Sequence, residues 1–141
     1  MNSPATIAEI LSTARTIAVV GLTNREGRAS LGVSRFMQSQ GYRIIPVNPA
    51  IDSVLGEKAY PDLDSAVAAH PAIDLVNVFR APEHVPAIVQ DVIRLRIPYL
   101  WLQEGVVHNA AAAQAEAAGV KVVMDHCILT ERMAAGWKNR S

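Results

Sequence analysis

The chain has 141 residues, one cysteine, and 13 basic against 13 acidic side chains, so its formal net charge is zero. The length fits one domain that buries a core without disulfide bonds, and the charge balance argues against a general role on nucleic acids or membrane surfaces. Half of the residues are apolar but only 5% are aromatic, which is typical of aliphatic strands covered on both faces by helices.

The first half of the chain predicts helices and strands in alternation. Ser3 and Pro4 form an N-cap pattern ahead of a helical spacing of Ile7, Ile10 and Leu11. The predicted elements in order are a helix over residues 4–14, a strand over 16–21, a polar loop over 22–30, a helix over 31–40 closed by Gly41, and a strand over 42–47 containing Pro46.

The second half continues the alternation. Its predicted elements are a short helix over 62–69, a strand over 73–79, a helix from Pro82 to about Leu95, a strand over 99–102, an alanine-rich helix over 109–118 closed by Gly119, and a strand over 120–124. The tail after Asp125 is ambiguous and is compatible with one more helical turn.

Strands that alternate with helices through short connections predict a parallel sheet with right-handed crossovers. The fold class is therefore α/β: a single Rossmann-like, doubly wound domain with a mostly parallel five-stranded sheet and helices on both faces. No repeat or long linker divides the chain, so we expect one domain over residues 1–141 with a core over about 15–130.

The loop after the first predicted strand is the most informative candidate site. In open parallel sheets, ligands bind outside the carboxyl ends of the strands. Gly21 allows a tight turn there, the following helix begins with N–H groups suited to a pyrophosphate, and Arg25, Arg28 and Ser30 add donors. The alternative is an ordinary loop whose basic residues serve solubility, and the pattern alone does not choose between the two.

The same loop lacks the known nucleotide fingerprints. The dinucleotide motif would need glycine at Thr23 and Glu26, and a P-loop would need glycine at Glu26 followed by Lys-Ser or Lys-Thr. The acidic residue that binds the NAD ribose is replaced by Asn48. A typical NAD enzyme or nucleotide hydrolase is therefore disfavoured.

The remaining chemically active side chains form no catalytic or metal-ligating pattern in the sequence. Glu104 has the chemistry of a general base but no nucleophile near it, and Cys127 is interpreted as a small buried hydrophobe. Trp101 and Phe79 are interpreted as core residues. The four histidines have no metal-ligand spacing and are interpreted as surface or loop residues: His70, His84, His108 and His126.

Six short motifs in order carry a resemblance to a known family. They are Val20 to Thr23, Gly41 to Pro49, Leu55 to Pro61, Val78 to Arg80, Trp101 to Val106, and Val123 to Ile128. Together they resemble the stand-alone CoA-binding domain proteins, which are similar to the N-terminal domain of the succinyl-CoA synthetase α subunit. The chain departs from the family pattern at Ala81 and His126, where the family often has arginine.

The resemblance implies a Rossmann-like fold, coenzyme A or an acyl-CoA as ligand, and a site at the strand ends. Gly21, Leu22 and Thr23 would approach the phosphates. Arg28 and Ser30 would close the loop. The remaining implied contacts are Asn48 and Pro49 on the nucleotide side, Phe79, Arg80 and Pro82 as the next wall, and Gln103, Glu104 and Gly105 facing the pantetheine arm.

The leading hypothesis from the sequence is a non-catalytic module that binds CoA. One alternative is a small CoA- or NAD(P)-dependent enzyme using Glu104 or His126 as acid or base, and a second is a scaffold of the same fold that binds a protein partner. A second copy of the chain as partner stays open. The lone Cys127, the missing signal-peptide pattern and the missing transmembrane run lead us to expect a cytoplasmic protein.

Overall fold

The computed structural model describes residues 1–136 and contains a five-stranded parallel sheet. Its strands are β1 (Thr16–Val20), β2 (Arg43–Val47), β5 (Leu75–Val78), β6 (Tyr99–Leu102) and β7 (Lys121–Met124), and a separate antiparallel hairpin joins β3 (Ser53–Val54) to β4 (Glu57–Lys58). The sheet order is β2-β1-β5-β6-β7. Counted along the chain this is the doubly wound order 2-1-3-4-5, which confirms the predicted fold class.

Six α-helices cover the two faces of the sheet within the described residues. They are α1 (Pro4–Thr13), α2 (Ala29–Ser39), α3 (Leu63–Ala69), α4 (Val85–Arg94), α5 (Asn109–Ala117) and α6 (Ile128–Ala134). Apolar residues of α3, α4 and α5 share one buried cluster with the sheet, and those of α1, α2 and α6 share the other. The helices therefore divide three and three between the faces.

Successive strand residues supply both apolar clusters. Ala18 and Val20 of β1 belong to the cluster under α3, α4 and α5, whereas Ile17 and Val19 belong to the opposite one. This alternation follows from the two-residue period of a strand. Burial on both faces explains why the strands read as continuous apolar runs rather than as alternating patterns.

The predicted and observed element boundaries agree within one residue except at the starts of α2, β5 and α4. The helix predicted from Pro82 is a short 3₁₀ turn (Pro82–His84) followed by α4, whose second residue Pro86 fits only a first helical turn because it donates no N–H. The α2 helix starts two residues earlier than predicted, and β5 starts two residues later, at Leu75, and ends before Phe79. The ambiguous tail forms α6, whose first N–H donates to Gln103 Oε1 at 2.9 Å.

The hairpin of β3 and β4 was not predicted. Its two turn residues, Leu55 and Gly56, both have positive φ, at 55° and 77°. That conformation matches the right-handed twist of a two-residue hairpin. The Gln38 side chain donates to the Leu55 carbonyl at 2.9 Å and ties the turn to α2.

Both edge strands have hydrogen bonds to segments outside the sheet. On β2, the Pro46 carbonyl accepts from Tyr60 N at 3.0 Å, and Asn48 N donates to the Tyr60 carbonyl at 2.8 Å. On β7, the side-chain amide of Asn2 accepts from Met124 N at 2.7 Å and donates to the Met124 carbonyl at 2.8 Å. Pro46 is tolerated because its position faces away from β1, where no ladder donor is needed.

The described residues contain no helix that is both long enough and apolar enough to cross a membrane.

Candidate functional site

A cleft of about 530 Å³ lies at the carboxyl ends of the strands. It sits where the strand order reverses, between β1 and its neighbours β2 and β5, which is the position at which doubly wound sheets bind ligands. Its lining comes from the loop after β1, the first turn of α2, the segment after β2 and the end of β5: Gly21, Thr23, Asn24, Arg25, Arg28, Ala29, Ser30, Asn48, Ala50, Ile51 and Phe79.

Gly21 fixes the way the chain leaves β1 at the floor of this cleft. Its φ is +90°, and a Cβ atom added there would lie 2.2 Å from the Phe79 carbonyl oxygen. Its N–H donates to the Val47 carbonyl at 2.9 Å, while Phe79 N donates to the Val20 carbonyl at 2.8 Å. Both the positive φ of Gly21 and the closeness of the Phe79 carbonyl exclude a side chain at this position. The loop therefore crosses the end of β1 in close contact with the backbone of Phe79.

The loop that follows is held in place by its own polar groups. Thr23 N donates to Ser30 Oγ at 3.2 Å, Arg25 N donates to Thr23 Oγ1 at 3.3 Å, and Arg28 N donates to the Arg25 carbonyl at 3.4 Å. These contacts join the loop to the start of α2. Ser30 is buried and therefore acts as an internal anchor for the loop.

The amino-terminal end of α2 lines the cleft without a side-chain cap. The residue before the helix is Arg28, whose side chain makes no capping hydrogen bond, and the first turn contains no acidic residue. First-turn N–H groups and the positive end of the helix dipole both favour an anion. This end of the helix is a position suited to a phosphate or pyrophosphate group.

Positive charge at the cleft is not compensated by acidic neighbours. Arg25 and Arg28 are exposed and line the cleft. The nearest acidic residue in the loop, Glu26, is bound to Arg35 at 2.7 Å and does not line the cleft. Among the described residues that form the lining, none is acidic. The cleft is therefore electropositive.

A smaller pocket of about 340 Å³ adjoins the cleft and shares Gly21, Asn48 and Phe79 with it. Pro49 and Arg80 line this pocket. Asn48 lines both spaces in a fixed orientation, because its side chain donates to the Leu22 carbonyl at 3.0 Å and accepts from Ala50 N at 2.9 Å. The Arg80 guanidinium lies 3.1 Å from His84 Nε2.

The structure brings together eight of the thirteen residues implied as ligand contacts. Six line the cleft, namely Gly21, Thr23, Arg28, Ser30, Asn48 and Phe79, and Pro49 with Arg80 line the adjoining pocket. Leu22 is fully buried in the core, so only its backbone faces the loop. Pro82 is exposed at the start of the 3₁₀ turn and lines neither space.

Gln103, Glu104 and Gly105 lie at the end of β6, away from both spaces. Gln103 is 4% exposed, and its Oε1 accepts the first N–H of α6. Gly105 N donates to Asp125 Oδ1 at 2.8 Å. Glu104 is exposed. Gln103 and Gly105 thus join the end of β6 to the segment that follows β7. The contact of all three residues with a pantetheine arm stays a prediction.

Five residues of the cleft lining were not among the implied ligand contacts. They are Asn24, Arg25, Ala29, Ala50 and Ile51. Ala50 and Ile51 follow Asn48-Pro49 directly, so the chain that leaves β2 continues along the cleft wall. Only their position directly after Asn48-Pro49 could have identified Ala50 and Ile51 from the sequence, because alanine and isoleucine occur in any core and do not indicate a binding site.

The other reactive side chains lie outside the cleft. His126 Nδ1 is 2.8 Å from Glu131 Oε2, at the end of β7. Trp101 is fully buried as predicted, whereas Phe79, also predicted as a core residue, is half-buried and lines the cleft. Cys127, predicted as buried, is half-buried before α6 and packs against the apolar cluster under α1, α2 and α6. Within residues 1–136, no three His, Cys, Asp or Glu side chains stand close enough to hold a metal ion.

Comparison with known proteins places the chain in a family. A family model described as a CoA binding domain matches residues 15–133. The uncharacterized protein YneT of Bacillus subtilis (strain 168) is 44% identical over 126 residues, which cover 89% of this chain and 91% of that protein.

Solved structures share the architecture over nearly the whole chain. The PH1109 protein redesigned for binding has a TM-score of 0.89 and 29% identity, and the match covers 100% of this chain and 98% of that one. The protein cell-free ID.343 from Thermus thermophilus has a TM-score of 0.85 and 32% identity, covering 94% and 98%. The matched family range includes all five strands of the sheet and the whole lining of the cleft, and the chain therefore belongs to the CoA binding domain family.

Proposed function

We propose that this chain is a non-catalytic module that binds coenzyme A or an acyl-CoA in the cleft at the strand ends. The observation that carries the proposal is the uncapped amino-terminal end of α2, which lines an electropositive cleft at the switch in strand order. The diphosphate of the ligand would lie against this helix end, between Arg25 and Arg28.

The residues present fit such a ligand in charge and size. The cleft of about 530 Å³ lies within the range of about 300–1,000 Å³ that is usual for small-molecule and cofactor sites. Ala50, Ile51 and Phe79 supply an apolar wall suited to a nucleotide base. CoA itself would contribute a thiol or thioester, and the chain would hold it.

A second candidate function rests on the pair formed by His126 and Glu131. A carboxylate bonded to Nδ1 orients an imidazole so that Nε2 is available as an acid or base. Incubating the protein with acyl-CoA tests this candidate. We expect no change in the thioester, and a turnover that disappears in a His126→Gln variant would favour the enzyme over the module.

Charge reversal in the first loop tests where the ligand binds. Arg28→Glu should weaken CoA binding at least about tenfold, because a charge-assisted hydrogen bond to phosphate contributes roughly 1.5–3 kcal/mol and the new carboxylate repels the anion. Binding by wild type should fall as salt rises, and the variant should show a smaller salt dependence. Calorimetric titration at two salt concentrations measures both effects.

Arg15→Glu is the matched control for Arg28→Glu. Arg15 is exposed and precedes β1, so it lies at the amino ends of the strands, whereas the cleft lies at their carboxyl ends. The same reversal at Arg140 would serve less well, since that residue lies outside the described residues. Equal losses for the two reversals would show a net-charge effect and would remove the diphosphate from the first loop.

A further inference from the structure

The small pocket beside the cleft is lined by an arginine, Arg80, whose bonding differs from that of three other arginines in the structure. Arg35, Arg43 and Arg94 each form an ion pair with a carboxylate, at 2.7 Å to Glu26, 3.1 Å to Glu57 and 2.7 Å to Asp64. Arg80 instead bonds to the imidazole of His84. Its charge is therefore positioned by the contact but not neutralised.

The chemistry of the two groups gives the direction of this hydrogen bond. A guanidinium only donates, so Nε2 of His84 accepts. One Arg80 nitrogen is thereby held at His84, while the rest of its planar set of donors is left for a ligand. Such a fixed fork is matched to two oxygens of a phosphate.

Arg80 lies close enough to the cleft for its guanidinium to bind part of a ligand that occupies the cleft. The pocket and the cleft share Gly21, Asn48 and Phe79, so one ligand can occupy both spaces. Arg25 and Arg28 line the cleft and Arg80 lines the pocket, and the fixed Asn48 side chain lines both spaces. Each of the two spaces is thus lined by at least one arginine.

We propose that Arg80, positioned by His84, binds a phosphomonoester, namely the ribose 3′-phosphate of CoA, while the diphosphate occupies the cleft. This inference rests on the proposed function and adds a specificity determinant to it. Dephospho-CoA has the same diphosphate and pantetheine arm but lacks the 3′-phosphate. The chain should therefore select CoA over dephospho-CoA through Arg80.

The test is the ratio of the two dissociation constants, measured by calorimetric titration of the full chain. Wild type should bind CoA at least about tenfold more tightly than dephospho-CoA. Arg80→Ala should bring this ratio close to one by weakening CoA alone, and dephospho-CoA should bind as it does to wild type. Arg15→Ala, at the amino ends of the strands and away from the site, should leave the ratio unchanged.

Variants of His84 separate positioning from charge. His84→Ala frees the Arg80 side chain and should lower the ratio, whereas His84→Gln, whose amide oxygen accepts a hydrogen bond, should restore most of it. Both residues are exposed, so their replacement leaves the core intact. A general loss of folding would weaken both ligands together and would not change the ratio.

Three outcomes distinguish this inference from the proposed function. A wild-type protein that binds both ligands equally overturns the Arg80 subsite and keeps the CoA site. An Arg80→Ala ratio equal to that of wild type also overturns the subsite. A wild-type protein that binds neither ligand overturns the proposed function, and the subsite with it. Competition by millimolar inorganic phosphate against CoA but not against dephospho-CoA would further support the subsite.

Discussion

Gly21 shows how one backbone position determines the geometry of the cleft. Its positive φ turns the chain out of β1, and its missing side chain lets the Phe79 carbonyl pack directly against it. Either requirement alone favours glycine, and together they leave no room for adjustment because the obstructing atom belongs to the backbone of the neighbouring strand end.

Gly21→Ala should destabilise the fold and distort the cleft together. We expect a loss of at least about 2 kcal/mol, from left-handed strain of roughly 1–2 kcal/mol plus the displacement of Phe79. Gly27→Ala is the control: its φ is +86°, but nothing lies within 4 Å of an added Cβ. Urea denaturation of both variants measures the difference. Equal losses would show that the contact with Phe79 carries no energy.

At the residue scale, glycine and charge after the first strand drew attention to Gly21 and Arg28, which line the cleft. The family resemblance implied Asn48 and Gln103 as further ligand contacts. Asn48 lines the cleft, whereas the Gln103 side chain is buried and holds α6. A polar side chain at a strand end has the same sequence signal whether it meets a ligand or a helix 25 residues away.

Three helices end in one hydrogen-bonded motif with different residues at its left-handed position. After α2 and α5 that residue is Gly41 or Gly119, and after α4 it is Arg96 with φ of 59°. At Arg96 the N–H donates to the Ile93 carbonyl at 3.1 Å, and the next N–H donates to the Val92 carbonyl at 3.1 Å. This pair of hydrogen bonds defines the Schellman motif, in which glycine is preferred at the left-handed position.

Arg96→Gly should stabilise the protein by about 1 kcal/mol, because it removes the strain of a side-chain-bearing residue in a left-handed conformation. The gain is expected without loss of packing, since Arg96 is exposed. Gly119→Ala, at the equivalent position after α5, should lose a similar amount. Thermal and urea unfolding check both signs. An Arg96→Gly protein less stable than wild type would mean that the Arg96 side chain makes a stabilising contact.

The cap of α3 gives a pH-dependent contribution to stability. Asp62 Oδ1 accepts from the Ser65 hydroxyl at 2.7 Å and from Ser65 N at 2.8 Å. These bonds, the hydroxyl first, lower the pKa of Asp62. A carboxyl whose pKa is depressed in the folded state contributes stability above its unfolded pKa of about 3.9, and loses it as the pH falls through the folded value.

Asp62→Ala should therefore cost about 1 kcal/mol at neutral pH and less at an acidic pH below the lowered pKa of Asp62, where the wild-type carboxyl is protonated. Asp62→Asn keeps a hydrogen-bond acceptor, the amide oxygen, that does not titrate. The difference in unfolding free energy between Asp62→Asn and Asp62→Ala should therefore not depend on pH. Urea denaturation of the three proteins at both pH values gives the comparison. A cost for Asp62→Ala that is the same at both values would contradict an ionised cap.

The whole domain combines features that the sequence predicted with others that it could not reveal. Alternating patterns predicted five parallel strands, and the structure has them in a doubly wound order. The β3–β4 hairpin escaped prediction because its strands have two residues each, too few for a periodic signal. The cleft could be placed at the strand ends in general, but its lining depends on which loops meet there.

At the scale of the whole molecule, CoA should stabilise the protein and NAD should not. A ligand at about 100 times its dissociation constant adds about 2.7 kcal/mol, which corresponds to a rise in melting temperature on the order of 5–10 °C. The physical reason for the selectivity is Asn48, which stands where an NAD site has a carboxylate for the ribose hydroxyls. A thermal shift with NAD and none with CoA would reverse the assignment.

The hydrogen bonds at the two margins of the sheet have a consequence for amide exchange and for self-association. Because Tyr60 bonds to the outer side of β2 at Pro46 and Asn48, and Asn2 bonds to that of β7 at Met124, the amides of Asn48, Tyr60 and Met124 are bonded where an outermost strand normally leaves its amides to solvent. Their protons should exchange with deuterium as slowly as those of interior strands. The same bonds oppose the addition of a strand from another molecule at these positions.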